Sequence, residues 1–135
     1  MLRARDIMTK PVVTVTTDTP LHVVMELLVE HDISGIPVVK DETTLVAIIS
    51  EKDILKLFAD LDNVRGKTVR DIMTQPAIFF EEHESIADVC ECLANNDFRR
   101  IPVTSRGELV GIISRADIIR TMLLAEHAKR RSLDN

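Results

Sequence analysis

The sequence predicts a mixed α/β (α+β) fold in which two pseudo-symmetric β-α-β-β-α units pack through their small sheets. Three observations carry this expectation. The first is internal repetition: Arg5-Asp6-Ile7-Met8-Thr9 with Pro11 returns as Arg70-Asp71-Ile72-Met73-Thr74 with Pro76, an offset of 65. Asp32 and Ile36-Pro37-Val38 return as Asp97 and Ile101-Pro102-Val103 at the same offset. After one deleted turn residue the offset becomes 64, and Leu45-Val46-Ala47-Ile48-Ile49-Ser50 with Asp53-Ile54 returns as Leu109-Val110-Gly111-Ile112-Ile113-Ser114 with Asp117-Ile118. The second observation is that apolar residues follow helical spacing in one part of each copy and form short strand-like runs in another. The third is size, because a three-stranded unit of this length leaves one sheet face uncovered and needs a partner.

The elements follow in order. Short extended runs at residues 12–15 and 77–80 open the two units. In the helix that follows, Thr19 is the candidate N-cap with Pro20 at the first helical position, and Leu21, Val24, Met25 and Leu28 recur at i, i+3, i+4, i+7. Ile86, Val89, Cys90 and Leu93 form the matching stripe in the second copy, so Cys90 reads as a small buried hydrophobe. Two apolar strands come next. Residues 36–39 and 45–49 are divided by Lys40-Asp41-Glu42, and residues 101–104 and 109–113 by Ser105-Arg106-Gly107, the signature of a hairpin in each copy. Closing helices are expected over about residues 51–59 and 115–126, with Ile54, Leu55, Phe58 and Ile118, Ile119, Met122 as their apolar positions. These elements give a first repeat over residues 1–60, a polar linker with Gly66 over 61–67, a second repeat over 68–127 and a charged tail over 128–135.

Composition excludes several classes of function. Seventeen basic and 22 acidic side chains leave a net charge of −5, which disfavours a general polyanion-binding surface. The balance is uneven, however: residues 99–131 hold eight Lys or Arg against three Asp or Glu, so a local anion site is expected there. With no Trp, no Tyr and four Phe, few rings are available for stacking successive bases, and nucleic acid is not the favoured partner. Apolar runs such as residues 45–49 fall far short of the roughly 20 residues that cross a bilayer, and Arg3, Arg5 and Asp6 occupy the place of a secretory signal's apolar stretch. A cytoplasmic protein with no membrane partner is expected. His22, His31, His83 and His127 lack paired spacing, and Cys90 and Cys92 diverge on a helix, so no metal site is expected. No Gly-rich phosphate loop, Gly-x-Ser-x-Gly elbow or supported Cys-His pairing occurs, so no catalytic residue is assigned and the chain is read as a non-enzyme.

Three elements, each present twice and in order over about residues 2–122, resemble the tandem cystathionine-beta-synthase (CBS) domain pair, or Bateman module. They are the opening Arg-Asp-Ile-Met-Thr, the apolar-Pro-Val element, and the apolar-apolar-Ser-x-x-Asp element at residues 48–53 and 112–117. The family often carries Gly at the start of the third element and Thr within it; here the first copy has Ala47 and both copies use Ser. The resemblance implies a regulatory pair about a pseudo-twofold axis whose clefts bind AMP, ADP, ATP, S-adenosylmethionine or a related ligand, with Mg²⁺ as a candidate companion of ATP. It further implies association of such pairs into four-unit discs, hence a homodimer, and no catalytic cofactor.

The residues suit a nucleotide on chemical grounds. Ser50 and Ser114 end a strand and begin a helix, where unpartnered N–H groups and the helix dipole favour an anion. Asp53 and Asp117, three positions on, carry only acceptors, which repel phosphate but take hydrogen bonds from the vicinal hydroxyls of a ribose. The same Ser-x-x-Asp spacing is also a capping-box helix start, and both readings stay open. Ile36, Pro37, Val38 and Ile101, Pro102, Val103 are candidate apolar walls for a base, or equally core packing at a strand start. Gly111 would let a ligand approach the backbone. Arg99 and Arg100 stand before the second apolar-Pro-Val element where the first copy has Ser34 and Gly35, so the second half is expected to supply most of the phosphate charge, with Arg115 as a candidate contributor; solvated surface charge is the alternative reading of all three. Lys52 and Lys56 read as solvated.

Two functional readings follow. One is a sensor of adenine nucleotides or a related adenosyl ligand that signals by conformational or oligomeric change to a regulated protein in trans. The other is an oligomerisation or partner-docking scaffold with vestigial clefts. Ligand-dependent stabilisation separates them.

Overall fold

Side chains two apart along a strand share a face, and this alternation builds a hairpin in each repeat: β1 (Gly35–Lys40) pairs with β2 (Thr44–Ser50), and β4 (Arg100–Ser105) with β5 (Glu108–Ser114). The computed structural model describes residues 1–134. Ile36 lies opposite Ile49 and Val38 opposite Ala47; equivalently, Ile101 faces Ile113 and Val103 faces Gly111. The turns match as well. Asp41 and Glu42 in one hairpin, and Arg106 and Gly107 in the other, take left-handed backbone angles, which join strands with their natural twist. A two-residue strand, β3 (Phe80–Glu81), runs parallel to β4, and Thr44 opposite Glu108 is the one register pair between β2 and β5, giving the order β1-β2-β5-β4-β3.

Helices cover one face of each hairpin. From α2 (Leu21–His31), Leu21, Val24 and Leu28 bury against Ile36, Val38, Ala47 and Ile49. From α5 (Ile86–Asn95), Val89 and Leu93 bury against Ile101, Val103 and Ile113. Each fully buried aliphatic side chain stabilises the fold by about 1.5–3 kcal/mol relative to exposure. Met25 and Cys90, the fourth members of the two stripes, are half-buried, and burial pushes the Cys90 thiol pKa up. Thr19 does not cap α2 as expected; Pro20 occupies the N-cap, while the Thr19 hydroxyl accepts from the Thr16 N–H at 3.0 Å and closes the preceding turn.

The opening segments do something the linear order of repeats conceals. Two short helices, α1 (Ala4–Ile7) and α4 (Val69–Ile72), each dock on the opposite repeat. Ala4 is fully buried in the second core and Val69 in the first. The backbone bonds are reciprocal: Ala4 and Arg5 N–H donate to Glu84 and Glu82 carbonyls at 2.9 Å each, and Val69 and Arg70 N–H donate to Thr19 and Thr17 carbonyls at 3.0 Å each. Just beyond, Thr9 exchanges two backbone hydrogen bonds with Ile112 of β5, and Thr74 exchanges two with Ile48 of β2. Sequence repeats 1–60 and 68–127 are thus not separate packing units.

The closing helices differ from their expected spans. The first, α3 (Glu51–Leu55), is followed by 3₁₀ structure over Phe58–Val64 that is kinked at Asp60 and runs into the expected linker. The second, α6 (Arg115–Leu133), continues through Lys129-Arg130-Arg131 into the expected tail. Cations in a last helical turn complement the helix dipole, and Arg130 pairs with Glu126 at 3.0 Å one turn back. Asn135 of that expected tail lies outside the described residues. Among the described residues no helix is long and apolar enough to cross a membrane.

Glu81 fastens β3 beside β4, accepting from the Thr104 hydroxyl at 2.9 Å and the Arg106 N–H at 3.0 Å. Desolvation pushes its pKa up, but these bonds, the Gly107 N–H and the charge of His83 outweigh it and hold the carboxyl below its usual value. A depressed folded pKa contributes stability that is fully present above the unfolded value, about pH 4.3, and is lost as pH falls through the folded one. Glu81→Gln is therefore expected to flatten the acid limb of stability against pH, read by urea unfolding over about pH 6 to 3. An unchanged limb would acquit Glu81.

Candidate functional site

Each strand-to-helix junction is a capping box. At the first, the Asp53 carboxylate accepts from the Ser50 N–H at 2.9 Å and the Ser50 hydroxyl at 3.1 Å, while the Asp53 N–H donates to Ser50 Oγ. Thr74, brought over from the second repeat, adds a bond to the same carboxylate at 3.1 Å. Asp53 is buried by this arrangement. At the second junction Asp117 accepts from the Ser114 N–H at 2.8 Å, from Arg120 Nη1 at 3.1 Å and from the Thr9 hydroxyl at 3.4 Å. The Glu51 N–H donates to the Ser34 carbonyl at 2.9 Å and the Arg115 N–H to the Arg99 carbonyl at 3.0 Å. Most N–H groups expected to await an anion at these helix starts are thereby already satisfied, so charge recognition falls to side chains.

In front of the first junction, between the repeats, lies a cavity of about 410 Å³, within the roughly 300–1,000 Å³ typical of small-molecule sites. Pro37, Ile48, Ile78, Phe98, Pro102 and Ile112 give it an apolar lining drawn from both repeats. Ser50 and Thr74 bring hydroxyls, and Lys52, Arg99 and Arg100 bring positive charge opposed by Glu51 and Asp97. Lys52 reaches across to Asp97 at 3.3 Å, an exposed pair linking the two repeats. A larger depression of about 800 Å³ lies in front of the second junction, where Ser114, Arg115, Arg99 and Arg100 meet Asp32, Ser34 and Glu51, and where Met25, Leu28 and Leu55 extend its floor. Such surroundings can hold a flat ring in the apolar part, hydrogen-bond a polyol and attract an anion. Among the described residues no three His, Cys, Asp or Glu side chains gather as a metal site.

Comparison with known proteins decides the family: the CBS domain matches twice, over residues 4–60 and 69–124. The chain belongs to the CBS domain family. This CBS pair is 31% identical to the protein MJ1225 of Methanocaldococcus jannaschii over 87% of its own length and 42% of that protein. With Arabidopsis thaliana CBSX1 and CBSX2 it shares 31% identity, covering 58% and 53% of them. The chain thus spans about half the length of these relatives. Its fold matches the crystal structure of CBSX2 in complex with AMP at TM-score 0.82 and 32% identity, covering 92% of this chain and 98% of that one. It also matches the CBS domain pair of MJ0100 in complex with 5-methylthioadenosine and S-adenosyl-L-methionine, at TM-score 0.76 and 29% identity, covering 90% and 95%.

Among the residues singled out from sequence, Pro37, Ser50, Arg99, Arg100 and Pro102 line the first cavity of the CBS pair, and Ser114 and Arg115 line the second with the same two arginines. Ile36, Val38, Ile101 and Val103 do not wall a cavity; alternation turns them into the cores, where they are fully buried. Asp53 and Asp117 stand behind the walls, where their carboxylates hold Ser50, Thr74, Ser114 and Thr9. Gly111 serves packing: a Cβ there would meet Met8 Sδ at 2.6 Å. Sequence reasoning missed Thr74, Ile78, Phe98 and Asp97, and it left Lys52 to solvent although it borders the first cavity. Thr74 and its counterpart Thr9 lay in plain view as the last residue of the repeated Arg-Asp-Ile-Met-Thr, a motif to which no site role was given.

Proposed function

We propose that this CBS pair is a cytoplasmic regulatory module that binds adenine nucleotides (AMP, ADP or ATP) or a related adenosyl ligand between its repeats and carries no catalysis of its own. Ligand binding biases the arrangement of the repeats or their assembly, and so acts on a regulated protein in trans. The observation that carries this reading is the first cavity, in which apolar walls, three hydroxyl-bearing residues and three cations converge from both repeats. A base suits Ile48, Ile78, Phe98 and Ile112; a ribose suits Ser50 and Thr74, held in place by Asp53; a phosphate suits Arg99, Arg100 and Lys52. The AMP complex of CBSX2 and the S-adenosylmethionine complex of the MJ0100 pair support the ligand class. A homodimer belongs to the same proposal. Leu55 and Phe58 in one repeat and Ile119 and Met122 at the equivalent positions of the other are more than 60% exposed, and a second copy of this chain would cover them self-complementarily.

Titration calorimetry and thermal unfolding with adenosine, AMP, ATP and S-adenosylmethionine test the reading. Any one of them at 100 times its Kd is expected to add about 2.7 kcal/mol to the folded state. Absence of binding and of any thermal shift across the panel would leave the scaffold reading in its place.

A further inference from the structure

The two cavities are not independent in their walls. Ser34, Glu51, Arg99 and Arg100 line both. The remaining cations of each cavity are already engaged, Lys52 with Asp97 at 3.3 Å and Arg115 with the Asn96 carbonyl at 2.6 Å. By contrast, among the described residues neither the Arg99 nor the Arg100 guanidinium is held in an ion pair. Arg99 is exposed and Arg100 half-buried, so both are placed to turn towards either side. Their backbone is fixed meanwhile, since the Arg99 carbonyl anchors the start of α6.

We propose that the two cavities share one phosphate-binding pair, Arg99 and Arg100, so that a phosphorylated ligand in one cavity weakens the binding of a second phosphorylated ligand in the other. The proposal rests on the nucleotide reading above and adds its regulation. A guanidinium grips a phosphate through two parallel hydrogen bonds, and a pair so engaged is withdrawn from the opposite face. With both guanidinium groups turned to one cavity, the other keeps the Glu51 carboxylate that lines both and has fewer cations left to offset it, so a second phosphate meets less positive charge. Adenosine carries no phosphate and draws on neither arginine. The two cavities should therefore fill with adenosine without mutual influence and with AMP antagonistically.

Calorimetric titration of the full chain with adenosine and with AMP tests this directly. Adenosine is expected to bind twice. For AMP, the ratio of second to first dissociation constants should exceed the adenosine ratio by about tenfold or more, a coupling of ordinary size. In Arg99→Gln/Arg100→Gln the AMP ratio should collapse to the adenosine ratio measured on the same variant. Glu51→Gln, an exposed position, should narrow the AMP ratio without abolishing it, and thermal unfolding of each variant verifies its fold. Lys52→Gln and Arg115→Gln, each weakening AMP at one cavity, assign the two steps. Equal AMP and adenosine ratios in the unmodified chain, a single adenosine site, or an AMP ratio that survives the double arginine substitution would each overturn the coupling. If adenosine and AMP do not bind, the coupling falls, and if ATP and S-adenosylmethionine fail as well, the nucleotide reading falls with it; if adenosine binds twice and the ratios agree, the coupling alone falls.

Discussion

Ala4→Asp is expected to unfold the second repeat, whose core begins at Val89, before it disturbs the first. Ala4 has no exposed surface and sits among Val89, Leu93, Ile101, Val103 and Ile113. A carboxylate placed there has no cation to pair with in an aliphatic core, and burying it costs several kcal/mol, a large part of the roughly 5–15 kcal/mol that stabilises a whole domain. Hydrogen exchange under mild urea is the appropriate measurement. Amides of β4 and β5 should lose protection ahead of those of β1 and β2, and the mirror variant Val69→Asp should reverse the order. Protection lost first in β1 and β2 of the Ala4 variant would show that α1 does not belong to the second core.

Gly111→Ala should destabilise the chain by about 1–3 kcal/mol, the usual cost of forcing extra volume into a packed site. The added methyl would lie 2.6 Å from Met8 Sδ, 2.7 Å from Cγ and 2.8 Å from Cβ, so the whole Met8 side chain would have to move rather than its tip alone. Adding Met8→Ala should recover part of the loss. A double-mutant cycle by urea unfolding is expected to give a coupling of about 0.5–3 kcal/mol, and additivity within about 0.5 kcal/mol would exclude the contact.

The hairpins and the cores were legible because they depend on short-range period: Ile36 with Val38, or Leu21 with Val24 and Leu28, show their shared face in the sequence itself. The Arg99–Arg100 pair was legible for a different reason, since the first copy offers Ser34 and Gly35 at the same place and the contrast exposes the added charge. The exchange of opening segments was not legible. Arg-Asp-Ile-Met-Thr occurs identically in both copies, so nothing in its composition says which hairpin it completes; that is settled by chain geometry at long range. Because Thr9 and Thr74 reach their aspartates only through this exchange, their bonds to Asp117 and Asp53, and the place of Thr74 in the first cavity, were hidden with it. The roles of Asp53 and Asp117 were ambiguous for a local reason, as one spacing serves both a helix cap and a ribose contact, and geometry alone shows the carboxylates occupied by their own helix starts.

Reciprocal docking of α1 and α4 also limits how the molecule can respond to a ligand. Each half holds a wedge belonging to the other, so pulling the halves straight apart would strip both hydrophobic interiors at once, a far larger penalty than a small molecule repays. Cutting the chain near Gly66 should accordingly give fragments that fold poorly alone and recover only when mixed, the behaviour of interlocked parts.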